Sequence, residues 1–77
     1  MQILFLSFLG NKVVRVDVMD FLSPAGFHAA TEKTMKTLFR SGRFKPDICR
    51  IYLIKERKII GEGGVINENG ISLKQGS

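Results

Sequence analysis

The chain holds one cysteine, Cys49, one histidine, His28, and two prolines among its 77 residues. A lone cysteine excludes an intrachain disulfide and suits a reducing compartment. His28 and Cys49 by themselves are too few ligands for a metal site. A catalytic histidine requires a nucleophile or an orienting carboxylate beside it, and no motif here supplies one. Asp17 and Asp20 do not form a carboxylate pair, because an odd spacing along a strand sends them to opposite faces. Long apolar runs are also missing. The opening MQILFLSFLG has no Lys or Arg ahead of its apolar run, as a signal peptide would. It reaches Gly10-Asn11 far short of the roughly 20 residues that cross a bilayer. These absences predict a non-enzymatic cytoplasmic protein with no cofactor, metal, small-molecule substrate or membrane anchor.

The length, residues 1–77, predicts one small domain with a modest core. Gln2–Leu9 and Lys12–Asp20 flank Gly10-Asn11, a dipeptide suited to a two-residue hairpin turn. Uninterrupted pairing from that turn sets Phe5 against Val16 and Ile3 against Val18. Ile3, Phe5, Val14, Val16 and Val18 then share the buried face, with Arg15 and Asp17 on the other. The first strand is apolar on both faces, the mark of a central strand or of one whose outer face meets a partner.

Ser23 can cap a helix and Pro24 suits its first turn. Phe27, Ala30, Thr31, Thr34, Met35 and Leu38 form one stripe at helical spacing. Gly42 can end the helix in a left-handed conformation, and Pro46 bars its continuation. Asp47–Lys55 alternates as a strand. A three-residue turn at Glu56-Arg57-Lys58 then sends Gly61 and Gly63 beneath the helix and Glu62 outward. A two-residue turn with regular pairing would bury Glu62 at a high cost. Asn67–Gly70 is a turn, Ile71–Lys74 a last short strand, and the tail through residues 75–77 is expected to fray.

The order is β-β-α-β-β-β. A right-handed crossover over the first strand gives an α+β domain, one helix on a mainly antiparallel sheet of order 2-1-3-4-5. The run Gly61-Glu62-Gly63-Gly64 resembles a phosphate loop only superficially. A strand follows it rather than a helix N-terminus, so its expected role is close helix approach.

Charge carries the functional signal. Residues 32–58 hold nine cations, Lys33, Lys36, Arg40, Arg43, Lys45, Arg50, Lys55, Arg57 and Lys58, against three acids, for a net +6. The remainder has three cations and four acids, a net of −1. Such asymmetry is evidence about partners. These nine are the candidate contacts to nucleic acid or a nucleoprotein complex, with Phe44 and Tyr52 as stacking surfaces. A merely solvated helix face is the other reading of the same charges. Separately, Leu4, Leu6, Phe8, Ile48 and Ile54, with Tyr52, fall on the sheet face away from the helix. One helix cannot cover both faces, so these mark a protein interface. A homodimer through the sheet fits, as does a protein-directed inhibitor or adaptor of the viral or mobile-element type, for example against a host nuclease or defence complex.

Overall fold

The computed structural model describes residues 1–41 and 43–74. The predicted helix end at Gly42 and the frayed tail at residues 75–77 lie outside the described residues. Five strands, β1 (Gln2–Leu9), β2 (Lys12–Asp20), β3 (Ile48–Lys55), β4 (Lys58–Asn67) and β5 (Gly70–Leu73), form one sheet of order β2-β1-β3-β4-β5. Every pairing is antiparallel. The single helix α1 (Pro24–Met35) continues as a π-helical turn, Lys36–Arg40, and crosses one face of the sheet. The α+β class and strand order follow from the doubly apolar first strand, which takes the second place, beside β3.

Helix α1 begins as its sequence dictates. The Ser23 hydroxyl accepts the Gly26 N–H at 3.1 Å, and Pro24 fills the first turn. Its stripe meets the sheet: Met35 and Leu38 are buried with Ile3, Phe5, Cys49, Ile51 and Ile66. Phe39, four residues after Met35, joins this core although the stripe read from sequence stops at Leu38. Thr31 and Thr34 are also buried, and the Thr31 hydroxyl donates to the Phe27 carbonyl at 2.8 Å. Burial pushes the Cys49 thiol up to about 11. The Ser7 hydroxyl, which makes no hydrogen bond of good geometry, offsets that rise only weakly from the paired position on β1.

The β1–β2 register corrects the sequence reading. The two-residue turn holds, with Leu9 opposite Lys12, but a bulge at Val14 shifts everything beyond it by one. Ser7 faces Arg15, Phe5 faces Asp17 and Ile3 faces Met19. The helix side of β2 therefore carries Arg15, Asp17 and Met19, while Val16 and Val18 lie with Leu6 and Leu4 on the open face. A one-residue slip moves a whole strand's side chains to the other side.

The β3–β4 turn is likewise shorter than predicted. Lys55 pairs with Lys58 around a two-residue turn, with Glu56 and Arg57 both left-handed, at φ 51° and 66°. The extra residue Ile60, between the Ile54–Ile59 and Leu53–Gly61 pairs, reverses the faces, so Glu62 still points outward opposite Tyr52. A second bulge at Gly63 returns Ile66 to the core opposite Cys49. Of these glycines only Gly63 serves the expected close helix approach, since a Cβ on Gly61 would meet nothing within 4 Å. A Cβ on Gly63 would stand 2.7 Å from Ile51 Cγ2 and 3.3 Å from Phe27 Cζ. Gly64 adopts φ +134°, and a side chain there would overlap the Ser72 carbonyl.

Candidate nucleic-acid interface

The helix lies antiparallel to β3. Its first turn shares a hollow with Leu53 and Gly63, and its π-helical end approaches Lys45, Pro46 and Asn67. Lys33, Lys36 and Arg40 recur at intervals of three and four residues, so they share one exposed helix face. The π-helical turn closes with the Ser41 N–H and hydroxyl both donating to the Lys36 carbonyl, each at 3.0 Å.

The following loop presents Arg43, Phe44 and Lys45 to solvent, while Pro46 is buried beneath them. Two bonds fix where that loop returns to the sheet. The Asp47 N–H donates to the Phe8 carbonyl at 2.8 Å, and the Asp47 carboxylate accepts the Gly10 N–H at 2.7 Å. Phe44 is 66% exposed. It borders a cleft of about 340 Å³ together with Arg43, Thr37, Val14 and Arg15.

The structure divides the nine candidate cations into three groups. Lys33, Lys36, Arg40, Arg43 and Lys45 run along the helix and its following loop. Lys55, Arg57 and Lys58 cluster at the β3–β4 turn, at the far end of an eight-residue strand that spans roughly 26 Å. Arg50 stands apart on the sheet face away from the helix, between Leu6 and Val65. Tyr52 is also on that face, between Leu4 and Glu62, so the two stacking candidates do not share a surface.

The ion pairs among the described residues are Arg15–Asp17 and Lys74–Glu62, both at 2.8 Å, and neither uses one of the nine cations. Lys74, bonded to Glu62, holds that carboxyl below its usual range, and Arg50 adds to the effect. The helix-side cations are thus uncommitted within the described chain.

The open sheet face gathers the predicted interface residues Leu4, Leu6, Phe8, Ile48 and Ile54, all half-buried by their neighbours alone. It also gathers Val13, which uninterrupted pairing already places there, and Val16, Val18 and Ile59, which sequence reasoning does not. Val16 and Ile59 are 57% and 58% exposed. Across β2, β1, β3 and the start of β4 this patch measures roughly 15 Å by 20 Å, on the order of 300 Å². That approaches the size at which an apolar surface marks a contact.

A separate hollow of about 550 Å³ near the helix start is lined mainly by Phe21, Leu22, Pro24, Phe27 and Leu53, with His28 at its rim. Among the described residues, no three His, Cys, Asp or Glu side chains converge as metal ligands, and no helix is long and apolar enough to cross a membrane. No family model matches this chain, and neither a curated protein nor a solved structure is found similar to it.

Proposed function

We propose that this protein is a non-enzymatic cytoplasmic binding module that engages nucleic acid, or a complex containing it, through the helix-side cations. One observation carries the reading: Lys33, Lys36, Arg40, Arg43 and Lys45 are all exposed along the helix and its following loop, without a carboxylate partner among the described residues, beside an exposed Phe44. Phosphates attract such a path whatever the sequence, and an exposed ring gives unpaired bases a stacking surface. Lys55, Arg57 and Lys58 extend it at the other end of the helix.

Fluorescence anisotropy with a labelled single strand and a labelled duplex tests this. Affinity falls log-linearly with salt, and five phosphate contacts give a slope of about −3.5 for a single strand or −4.5 for a duplex. Joint reversal of Lys36, Arg40 and Arg43 to Glu abolishes binding with the circular dichroism unchanged, since all three side chains are exposed. Absence of binding at low salt refutes the proposal.

The open apolar face favours a second reading, a protein-directed inhibitor or adaptor that docks on its target through Leu4, Leu6, Phe8 and the valines of β2. Phe8→Glu distinguishes the two, because it changes that face and leaves every helix-side cation in place.

A further inference from the structure

Strand β2 is an edge of the sheet, nine residues long, and among the described residues no strand pairs with its outer row of backbone N–H and C=O groups. Val13, Val14, Val16 and Val18 along it are each 43% to 57% exposed. An edge of this length is a template for another strand, and most proteins blunt it. The sequence KVVRVDVMD has a further property. Turned end for end about Val16 and laid against itself, it sets Arg15 opposite Asp17 and Asp17 opposite Arg15. Val16 meets Val16, and the Lys12 end lies against the Asp20 end.

We infer that two copies of this chain pair antiparallel along β2, centred on Val16, to make one continuous ten-stranded sheet. The two-fold axis stands perpendicular to the sheet, so facing residues must lie on the same side of it. Arg15 and Asp17 satisfy this, since both lie on the helix side of β2. They already pair within one chain at 2.8 Å, and both remain partly open to solvent. Bringing the copies together turns two isolated ion pairs into a ring of four alternating charges.

The charges also select the register. A shift of two residues one way sets Arg15 against Arg15, and a shift the other way sets Asp17 against Asp17. Opposite charges facing across a strand pair are favourable and like charges are not. A parallel, in-register arrangement fails on the same ground. The bulge at Val14 limits the regular ladder to the central residues. An interface this narrow buries less than the roughly 800 Å² per partner of a standard contact. Association is therefore reversible and concentration-dependent. The proposal is independent of the nucleic-acid reading, because Arg15 and Asp17 are not among the helix-side cations. Both helices emerge on the same side of the ten-stranded sheet.

Sedimentation equilibrium of the full chain, from low-micromolar to near-millimolar concentration, tests the pairing with charge-swap variants. Wild type shows a monomer–dimer equilibrium. Arg15→Asp and Asp17→Arg alone each weaken it about tenfold or more, since two attractions become two repulsions. The double swap restores the dimer. An equimolar mixture of the two single variants forms a heterodimer, because the two neighbouring acids of the Arg15→Asp chain then face the two arginines of the Asp17→Arg chain. Circular dichroism confirms that each variant is folded. A wild type that stays monomeric overturns the inference. So does a dimer that ignores these swaps but dissociates on Phe8→Glu, which would place the contact on the sheet face.

Discussion

Gly63 and Gly61 lie two residues apart on β4, and alanine at each position tests how closely the helix is seated. A methyl group at Gly63 meets Ile51 Cγ2 at 2.7 Å, closer than real carbon contacts allow, and Phe27 Cζ at 3.3 Å. Ile51 is fully enclosed and cannot retreat. Phe27 is braced edge-on against Phe21, with ring centroids 5.5 Å apart. Overpacking of this kind costs about 1–3 kcal/mol. Alanine also restricts the unfolded chain, which returns about 0.4–1 kcal/mol where the backbone permits it. The net loss expected for Gly63→Ala is about 1–2 kcal/mol. A chain of this length has a total stability of about 4–12 kcal/mol, so the melting temperature drops by about 5–15 °C. At Gly61 nothing stands within 4 Å of the same methyl group. Gly61→Ala is therefore neutral or stabilising by up to about 1 kcal/mol. Urea titrations followed by circular dichroism measure both variants against wild type. Equal midpoints for the two would refute the claim that Gly63 is where helix and sheet touch.

Two further outcomes follow from the same packing. The Cys49 thiol, raised from 9.0 to about 11 by burial, holds its proton in the folded state after the unfolded chain has lost it. Its contribution is therefore complete below pH 9 and is lost between pH 9 and 11, about 2–3 kcal/mol in all; a Cys49→Ala control that loses stability equally over that window would refute this. Phe8→Glu lies on the open face opposite Val13 and Ile48, so the domain stays folded with a midpoint within about 1 kcal/mol of wild type; outright unfolding would place Phe8 beneath the helix instead.

The architecture is legible in the sequence where local chemistry is unambiguous. Ser23-Pro24 announces the helix, and a first strand apolar on both faces points to the interior place it takes in the sheet. The bulge at Val14 is hidden for a physical reason. Val13 and Val14 are identical neighbours, and alternation in VRVDVMD is equally regular whichever face it serves. Apolar faces usually are covered, which points the valines inward. The helix gives β2 too little cover to enforce that choice, so the bulge decides it. The β3–β4 turn departs from expectation because Glu56 and Arg57 adopt left-handed angles that favour Gly or Asn. The outward position of Glu62 is legible all the same, since a buried carboxylate without a partner is costly however the turn is built. The nine cations are visible as a charge run, and strand alternation already sends Arg50, with Tyr52, to the face away from the helix.

The bulges together explain why the molecule has two different sides. Each reverses the facing of one strand segment. The bulge at Val14 turns apolar side chains outward, the one at Ile60 turns Glu62 outward, and the one at Gly63 returns Ile66 to the core. One short helix has only enough surface to cover one face, and among the described residues the other carries few cations, Arg50 and the Lys74 that pairs with Glu62. The open patch of roughly 300 Å² represents about 7 kcal/mol of burial when covered, an upper figure since part of it is already shielded by neighbours. That is comparable to the stability of the whole domain. Edge pairing along β2 does not relieve it. The two-fold axis sets the two patches side by side on the face opposite both helices, and so doubles the apolar area there. A paired molecule would thus offer one cationic and one apolar side, and could hold a nucleic acid and a protein at the same time without competition between them.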